Sequence, residues 1–354
     1  MIRFKKIIHT AILILSLVFC VTQLSAQSDT LHYFPPMHND FDGAEEQYLY
    51  IATSDPGPVN VTVTDGAGNV ILGPQAITPA TPIELNVEFG GATEDNTVMF
   101  TQDNELSAVL SGKGIIVTSD KNTTASFRII DGLQGDILTS KGAGGAMGTV
   151  FRAGAEISQS NSGNDNFFVS VMATEDATTL NISDLPAGLI LNANGATFDP
   201  GGSIGPITLN KGQSYVISGN MSDDGGTDIN RDGILGALIE ADKKIVVTNG
   251  NLASIGRDFF IDQSVPVNKL GRDHILIRGN ASNGNSDQEN GIVIATEDNT
   301  VIKVNGLDPL VNGTRTPTTI NAGDYFVIDE ENYVPGGNGD HENMVVQTNN
   351  PIYM

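Results

Sequence analysis

The stretch Asp228-Ile229-Asn230-Arg231-Asp232-Gly233-Ile234 carries oxygen-bearing side chains at alternate positions, with a glycine after the third. That is the spacing of the first half of a calcium loop, in which successive oxygens turn toward one hard cation. Asp228, Asn230 and Asp232 would each present a side-chain oxygen, and Ile234 its carbonyl. A complete loop also needs a bidentate acid at the twelfth position. Ile239 stands there, Glu240 falls one residue late, and Asp223 and Asp224 would have to supply the missing charge. The competing reading is an acidic surface turn, because Asp-Gly is a common turn pair. Calcium is the one cofactor that the sequence suggests.

A second group, Arg257, Asp258 and Asp262, allows two readings. Paired carboxylates are the machinery of glycoside hydrolysis. An Arg–carboxylate pair is equally suited to fixing a junction between modules. The histidines beyond the leader, His32, His38, His274 and His341, show no metal-ligand spacing such as His-Glu-x-x-His. There is no Gly-x-Ser-x-Gly elbow and no phosphate-cradling Gly-x-x-x-x-Gly-Lys-Ser/Thr loop. With no tryptophan, a sugar platform would have to use Tyr or Phe. The aromatics Tyr215, Tyr325 and Phe326 follow turns and read as core.

The elements that must position these residues are organised by a repeat. Residues 293–300 read Val-Ile-Ala-Thr-Glu-Asp-Asn-Thr, residues 171–178 read Val-Met-Ala-Thr-Glu-Asp-Ala-Thr, and residues 50–55 are a degenerate copy. Thr53, Thr174 and Thr296 are 121 and 122 residues apart. Each copy reads as strand, tight turn, strand, and residues 48–71 read as a hairpin. Further on, Asn210-Lys211-Gly212 and Asn321-Ala322-Gly323 each interrupt β-branched runs and also read as hairpin turns. A third element closes each copy, at residues 111–118, 241–249 and 344–349. Gly148 and Gly271, 123 residues apart, add a further echo.

Composition sets the address. Residues 1–26 read as a secretory signal: Arg3, Lys5 and Lys6 precede an apolar run over 7–24, and Leu24-Ser25-Ala26 offers small residues for cleavage before Gln27. Cleavage takes the formal charge from −24 to −27 and removes Cys20, the only cysteine. An exported chain without disulfides must rely on its core alone, and a chain of this length can bury one. The acidity argues against nucleic acid and anionic lipid, which select basic faces. No second apolar stretch is long enough to span a bilayer.

No segment past the leader shows a helical period over three turns, and turn signals recur roughly every 8–12 residues, with Gly at 40 of 354 positions. The expected fold class is all-β: three tandem repeats of about 122 residues forming sandwich-like modules, with a propeller-like closed array as the alternative. The expected boundaries are repeat one at 27–131, a Gly-rich linker at 132–146, repeat two at 147–254 and repeat three at 255–354. Residues 280–290 read as a polar insertion. The third copy stops inside what reads as a strand, so the native chain is expected to continue.

With these motifs in hand, the chain resembles the IgGFc-binding-protein N-terminal-domain-like region of many bacterial secreted surface proteins. The residues that carry the resemblance are the Ala-Thr-Glu-Asp-x-Thr turns, the Leu-Asn-x-Gly-x-x-Tyr run at 209–215, residues 236–243, and Gly256-Arg257-Asp258 with Asp262-Gln263. It covers essentially the whole chain past the leader. The resemblance implies a secreted or cell-surface binding module, often upstream of a gliding-motility-associated sorting domain. No residue carries over the antibody Fc binding for which the family is named. The expected function is adhesion without catalysis, with an extracellular glycan, glycoprotein or matrix protein as partner. The alternatives are a structural spacer and a secreted glycoside hydrolase acting through Asp258 and Asp262.

Overall fold

The computed structural model describes residues 27–38, 46–87, 97–131, 134–154, 167–220, 228–252, 259–278, 289–335 and 342–354. Residues 1–26, read above as a secretory signal, lie outside them. The chain is all-β, with several sheets packed in sandwich-like fashion. Among the described residues no helix is long and apolar enough to cross a membrane.

The first set of strands is β1 (Asp29–Phe34), β2 (Glu46–Ala52), β3 (Val59–Asp65), β4 (Val70–Ile77), β5 (Ile83–Asn86), a two-residue β6 (Val109–Leu110), the 17-residue β7 (Ile115–Asp131) and β8 (Gln134–Thr139). After a short helix α1 (Gly142–Ala146) come β9 (Gly148–Arg152), β10 (Phe167–Ala173), β11 (Thr178–Ser183), β12 (Ile204–Leu209) and β13 (Ser214–Ser218). Helix α2 (Asp228–Asp232), β14 (Leu238–Asn251) and β15 (Phe260–Gln263) follow. The last strands are β16 (Asp273–Ile277), β17 (Gly291–Ala295), β18 (Thr300–Val304), β19 (Thr318–Ile320), β20 (Tyr325–Ile328), β21 (Glu342–Thr348) and β22 (Ile352–Tyr353).

One pairing scheme recurs. The order β4-β3-β7-β2-β5 in the first set matches β12-β11-β14-β10-β13 in the second. In the last set it matches β19-β18-β21 together with β22-β17-β20. The long strand serves two sheets. The first half of β7, at 115–119, pairs with β3, while 124–130 pairs with β2. β14 divides in the same way between β11 and β10. In the last set the two halves are separate strands, β21 and β22, with Pro351 between them. Proline has no N–H for a ladder, which accounts for the break. An entry strand pairs with the first half in every set: β1 on β7, β9 on β14, β16 on β21.

This arrangement corrects the hairpin reading. β10 and β11 do not pair with each other, and neither do β12 and β13; each turn carries the chain from one sheet to the other. Strand periodicity fixes which side chains face inward, but not which neighbour a strand finds. The turn residues form a clamp instead. The Thr174 hydroxyl donates to the Lys244 carbonyl at 2.7 Å, Thr53 to Asn122 at 2.9 Å, and Thr296 to Pro351 at 2.5 Å. Two residues before each of those carbonyls, Asp120, Asp242 and Asn349 accept a backbone N–H from Asn60, Thr179 and Val301. The equivalent of Asp242 in the first set is therefore Asp120, and in the last set Asn349. The third repeated element is shifted from the register that local similarity suggests.

The two turns of a set also grip each other. Asn210 Oδ1 accepts from Ala177 N–H and Asp176 Oδ1 from Lys211 N–H. Asn321 and Asp298 do the same for Asn299 and Ala322. This is why Thr-Glu-Asp and Asn-x-Gly recur together.

The inner faces of both sheets fill one core per set. Leu49, Ile51, Val61, Val117 and Phe127 belong to the first; Val169, Val171, Leu180, Ile239 and Val247 to the second; Val293, Ile302, Val346 and Ile352 to the last. The first cluster also takes in Phe168, Val216 and Ile261 from the second set. Of the residues read as a linker, 134–146 are described and form regular elements: β8 pairs along β7, and α1 packs on β1. Small residues allow the approach, since a Cβ on Gly142 would lie 2.7 Å from Asp29 Cβ.

Glycine also closes the junctions between sets. A Cβ on Gly212 would lie 2.0 Å from the Gly66 carbonyl oxygen, and one on Gly236 would lie 1.9 Å from that of Gly323. Gly212 has φ +77°, a region that side chains disfavour. Gly212→Ala is expected to cost about 2 kcal/mol or more. Gly195→Ala, at φ +71° with nothing within 4 Å, should cost only about 1 kcal/mol. Urea unfolding of the two variants reads the difference.

His32 is fully buried between β1, β7 and Ser140, with Nε2 3.0 Å from the Thr123 carbonyl oxygen and Nδ1 3.1 Å from Ser140 Oγ. Burial holds its pKa below the ordinary 6.5, although the carbonyls oppose the shift. The unfolded chain then binds the proton more readily than the native one. Stability from this group is complete above about pH 6.5 and declines as pH falls below it. His32→Gln should flatten the fall in melting temperature between neutral and mildly acidic pH.

Candidate functional site

The oxygen-rich segment 228–234 folds as a helical turn. Asn230 is buried, and its Oδ1 accepts the Ile190 N–H at 2.8 Å. The Asp232 carboxylate receives the Arg231 guanidinium through Nε at 3.2 Å and Nη2 at 3.1 Å. The Ile234 side chain lies in the second core. The side chain of Asp228, and Asp223 and Asp224, lie outside the described residues. A calcium loop needs these oxygens turned to one centre. Here one serves a backbone donor and another a guanidinium. Among the described residues no group of three or more His, Cys, Asp or Glu is placed to hold a metal ion. Alternate oxygen spacing is thus also met by a polar turn that locks itself under the loop at Ile190.

Of the second group, Asp262 is described, while Gly256, Arg257 and Asp258 are not. Asp262 Oδ1 lies 2.5 Å from Lys141 Nζ. Its neighbour Gln263 accepts the Lys141 N–H at 2.7 Å and donates to the Tyr33 carbonyl at 2.7 Å. Asp262 therefore works where the first two sets meet.

The junction between the second and last sets is built around Arg152, a residue with no distinguishing signal in the sequence. Its guanidinium is 6% exposed and reaches Asp184 Oδ2 at 2.5 Å and the Gly236 carbonyl at 2.9 Å. The same Nη1 would lie 3.0 Å from a Cβ on Gly323. Tyr353 seals the other side by donating its hydroxyl to the Val265 carbonyl at 2.6 Å. Burial pushes that phenol well above its ordinary pKa, so it stays a donor at any working pH. An isolated Arg inside a β-rich run does not announce such a role.

Carboxylates do gather in the last set. Glu289, Glu330 and Glu342 surround Arg278, with Glu330 Oε2 3.0 Å from Nη2, and Tyr333 lies under the guanidinium at 5.9 Å. The hydrogen bond that Arg278 donates to Glu342 and the charges of the nearby acids raise the Arg278 pKa. One fixed cation satisfies these acids, so the cluster reads as a charge knot rather than an acid–base pair.

Among the described residues, two outer sheet faces carry exposed apolar or aromatic side chains. On β16, Ile275 is 71% and Ile277 70% exposed, while Leu276 between them packs toward the last core. On β2, Gln47, Leu49 and Ile51 are buried, so Tyr48 and Tyr50 lie on the opposite face. Their ring centroids are 6.0 Å apart at 32°. Arg128 pairs beside Tyr48, and the exposed Ile137 pairs beside Arg128. Alternation in the sequence marks two faces in each strand but does not say which is covered.

Residues 142–354 match the family described as IgGFc binding protein. The match begins at the first residue of α1 and covers the second and last sets of strands. No curated protein matches the chain, and no solved structure does. The family is one of binding rather than catalytic proteins. Since the match takes in well over half of the residues, and the matched region holds both complete turn pairs, the chain belongs to the IgGFc binding protein family.

Proposed function

We propose that the protein is an exported adhesion module that binds an extracellular glycan, glycoprotein or matrix protein and has no catalytic activity of its own. The observation that carries this reading is the family match over residues 142–354. The leader at 1–26 supports export. The absence of cysteine beyond it suits a chain stabilised by three cores rather than by disulfides. The hydrolase reading draws no support from Asp262, whose carboxylate is held by Lys141.

The test is binding of the chain lacking residues 1–26 to immobilised glycans, glycoproteins and matrix proteins, with the soluble products of each incubation analysed. Saturable binding to a member of the panel without released fragments is expected. Uniform failure to bind would turn the reading to a spacer, and released sugars would turn it to a hydrolase.

Calcium at 228–234 is tested separately. A native-state ligand must raise the melting temperature. Binding there would have to displace the bond from Ile190 to Asn230. The expected outcome is an unchanged melting temperature on adding calcium or a chelator. A clear rise with calcium that Asn230→Ala abolishes would establish the loop.

A further inference from the structure

The clamp gives every set a common origin, and counting from it shows that both internal junctions use one geometry. Four residues before Asp120, Asp242 and Asn349 stand Ile116, Leu238 and Val345. Their partners on the entry strands are Tyr33, Arg152 and Ile275. Four residues after the same origin stand Thr124, Val246 and Tyr353. Their partners are Ala52, Met172 and Ile294. Each set thus presents an entry-side pair before the clamp and a receiving pair after it, both on outer sheet faces.

The first junction joins the entry-side pair Tyr33 and Ile116 to the receiving pair Met172 and Val246 in one buried cluster. The second joins Arg152 to the receiving pair Ile294 and Tyr353. The Tyr353 hydroxyl accepts from Arg152 N–H at 3.4 Å, and a Cβ on Gly154 would touch Ile294 Cδ1 at 3.6 Å. Tyr33 is 3% exposed, Arg152 5% and Ile294 3%.

Among the described residues, one pair of each kind is uncovered. The entry-side pair of the last set is Ile275, 71% exposed, with Val345 beside it and Ile277 further along the same face. The receiving pair of the first set is Ala52 and Thr124, both exposed, in line with Tyr50 and Tyr48. The two open faces are the complementary halves of a contact that the chain already makes twice.

We propose that the chain binds a second copy of itself head to tail, the Ile275–Val345 face of one copy seating on the Ala52–Thr124 face of the next. Such a contact is heterologous, so it propagates into a line of copies rather than closing a dimer. The Gly236–Gly323 contact of the second internal junction has no counterpart at the two open faces. Asn343 lies where Gly114 and Gly236 lie in the other sets, and Pro79-Ala80 occupies the turn equivalent to that of Gly212 and Gly323. The contact between copies is therefore looser than the internal one and reversible. Because the chain carries a large negative charge, association should strengthen as salt screens the repulsion.

Sedimentation velocity on the chain lacking residues 1–26 tests this over a concentration series at low and moderate salt. The mass average should rise with protein concentration, and further with salt. Ile275→Asp and Ala52→Arg should each abolish the rise, with circular dichroism confirming the fold. Mixed together, the two variants should form heterodimers and nothing larger, because each keeps one working face. A wild-type chain that stays monomeric throughout overturns the proposal. So does loss of association with Ile275→Asp alone while Ala52→Arg behaves as wild type. As an independent readout, Ile275→Cys and Ala52→Cys, introduced into a chain free of other cysteines, should cross-link to each other on mild oxidation. Cross-linking of Ile275→Cys only to itself would point to a symmetric pair and refute the head-to-tail contact.

Discussion

The structure depends on how one long strand changes sheets. A strand that pairs with one sheet over its first half and another over its second must bend, and its backbone groups at the bend leave the ladder. Backbone groups that leave a ladder need other partners, and side chains supply them here. Here the threonine of the Thr-x-Asp turn donates to a carbonyl at the bend, and an Asp or Asn two residues earlier takes the amide of the neighbouring strand. Both halves of the clamp are side chain to backbone bonds that bridge distant parts of the chain. With them in place, the two sheets face each other and the inner side chains meet. The acidic member suits this role, because the N–H of Thr179 holds the Asp242 carboxyl below its ordinary pKa, and so ionised at neutral pH.

The legible part of this architecture was whatever local chemistry repeats. The Ala-Thr-Glu-Asp and Asn-x-Gly turns stand out because a hydrogen-bond set recurs, and the inward residues follow from alternation along β3 or β18. What escaped is non-local. Nothing within residues 167–183 says that β10 and β11 pair with β14 rather than with each other. The similarity of residues 111–118 to 241–249 drew the closing strand out of register, because apolar β-branched runs look alike on either side of a bend. Residues 134–146 look like a linker for want of bulk, yet their small side chains are what lets them pack. Among the site residues, Asp262 pairs with Lys141 where the first two sets meet, rather than with an arginine between the second and the last. Arg152, Ile275 and Tyr48 carry no pattern that sets them apart.

The same logic shapes the surface. A strongly acidic chain with a buried-core economy would be expected to show only polar outer faces, and most outer positions comply. Ile275 and Ile277 are the most exposed exceptions, and they lie together on one face of β16. Apolar exposure of this kind marks interaction surfaces more often than accident.

The junctions made by Gly66 with Gly212 and by Gly236 with Gly323 bring main chain against main chain. A side-chain interface can be retuned one residue at a time, because each substitution alters a contact and leaves the rest standing. A backbone contact offers no such handle. The angle between neighbouring sandwiches is thus set by the path of the chain rather than by the side chains of the surrounding turns.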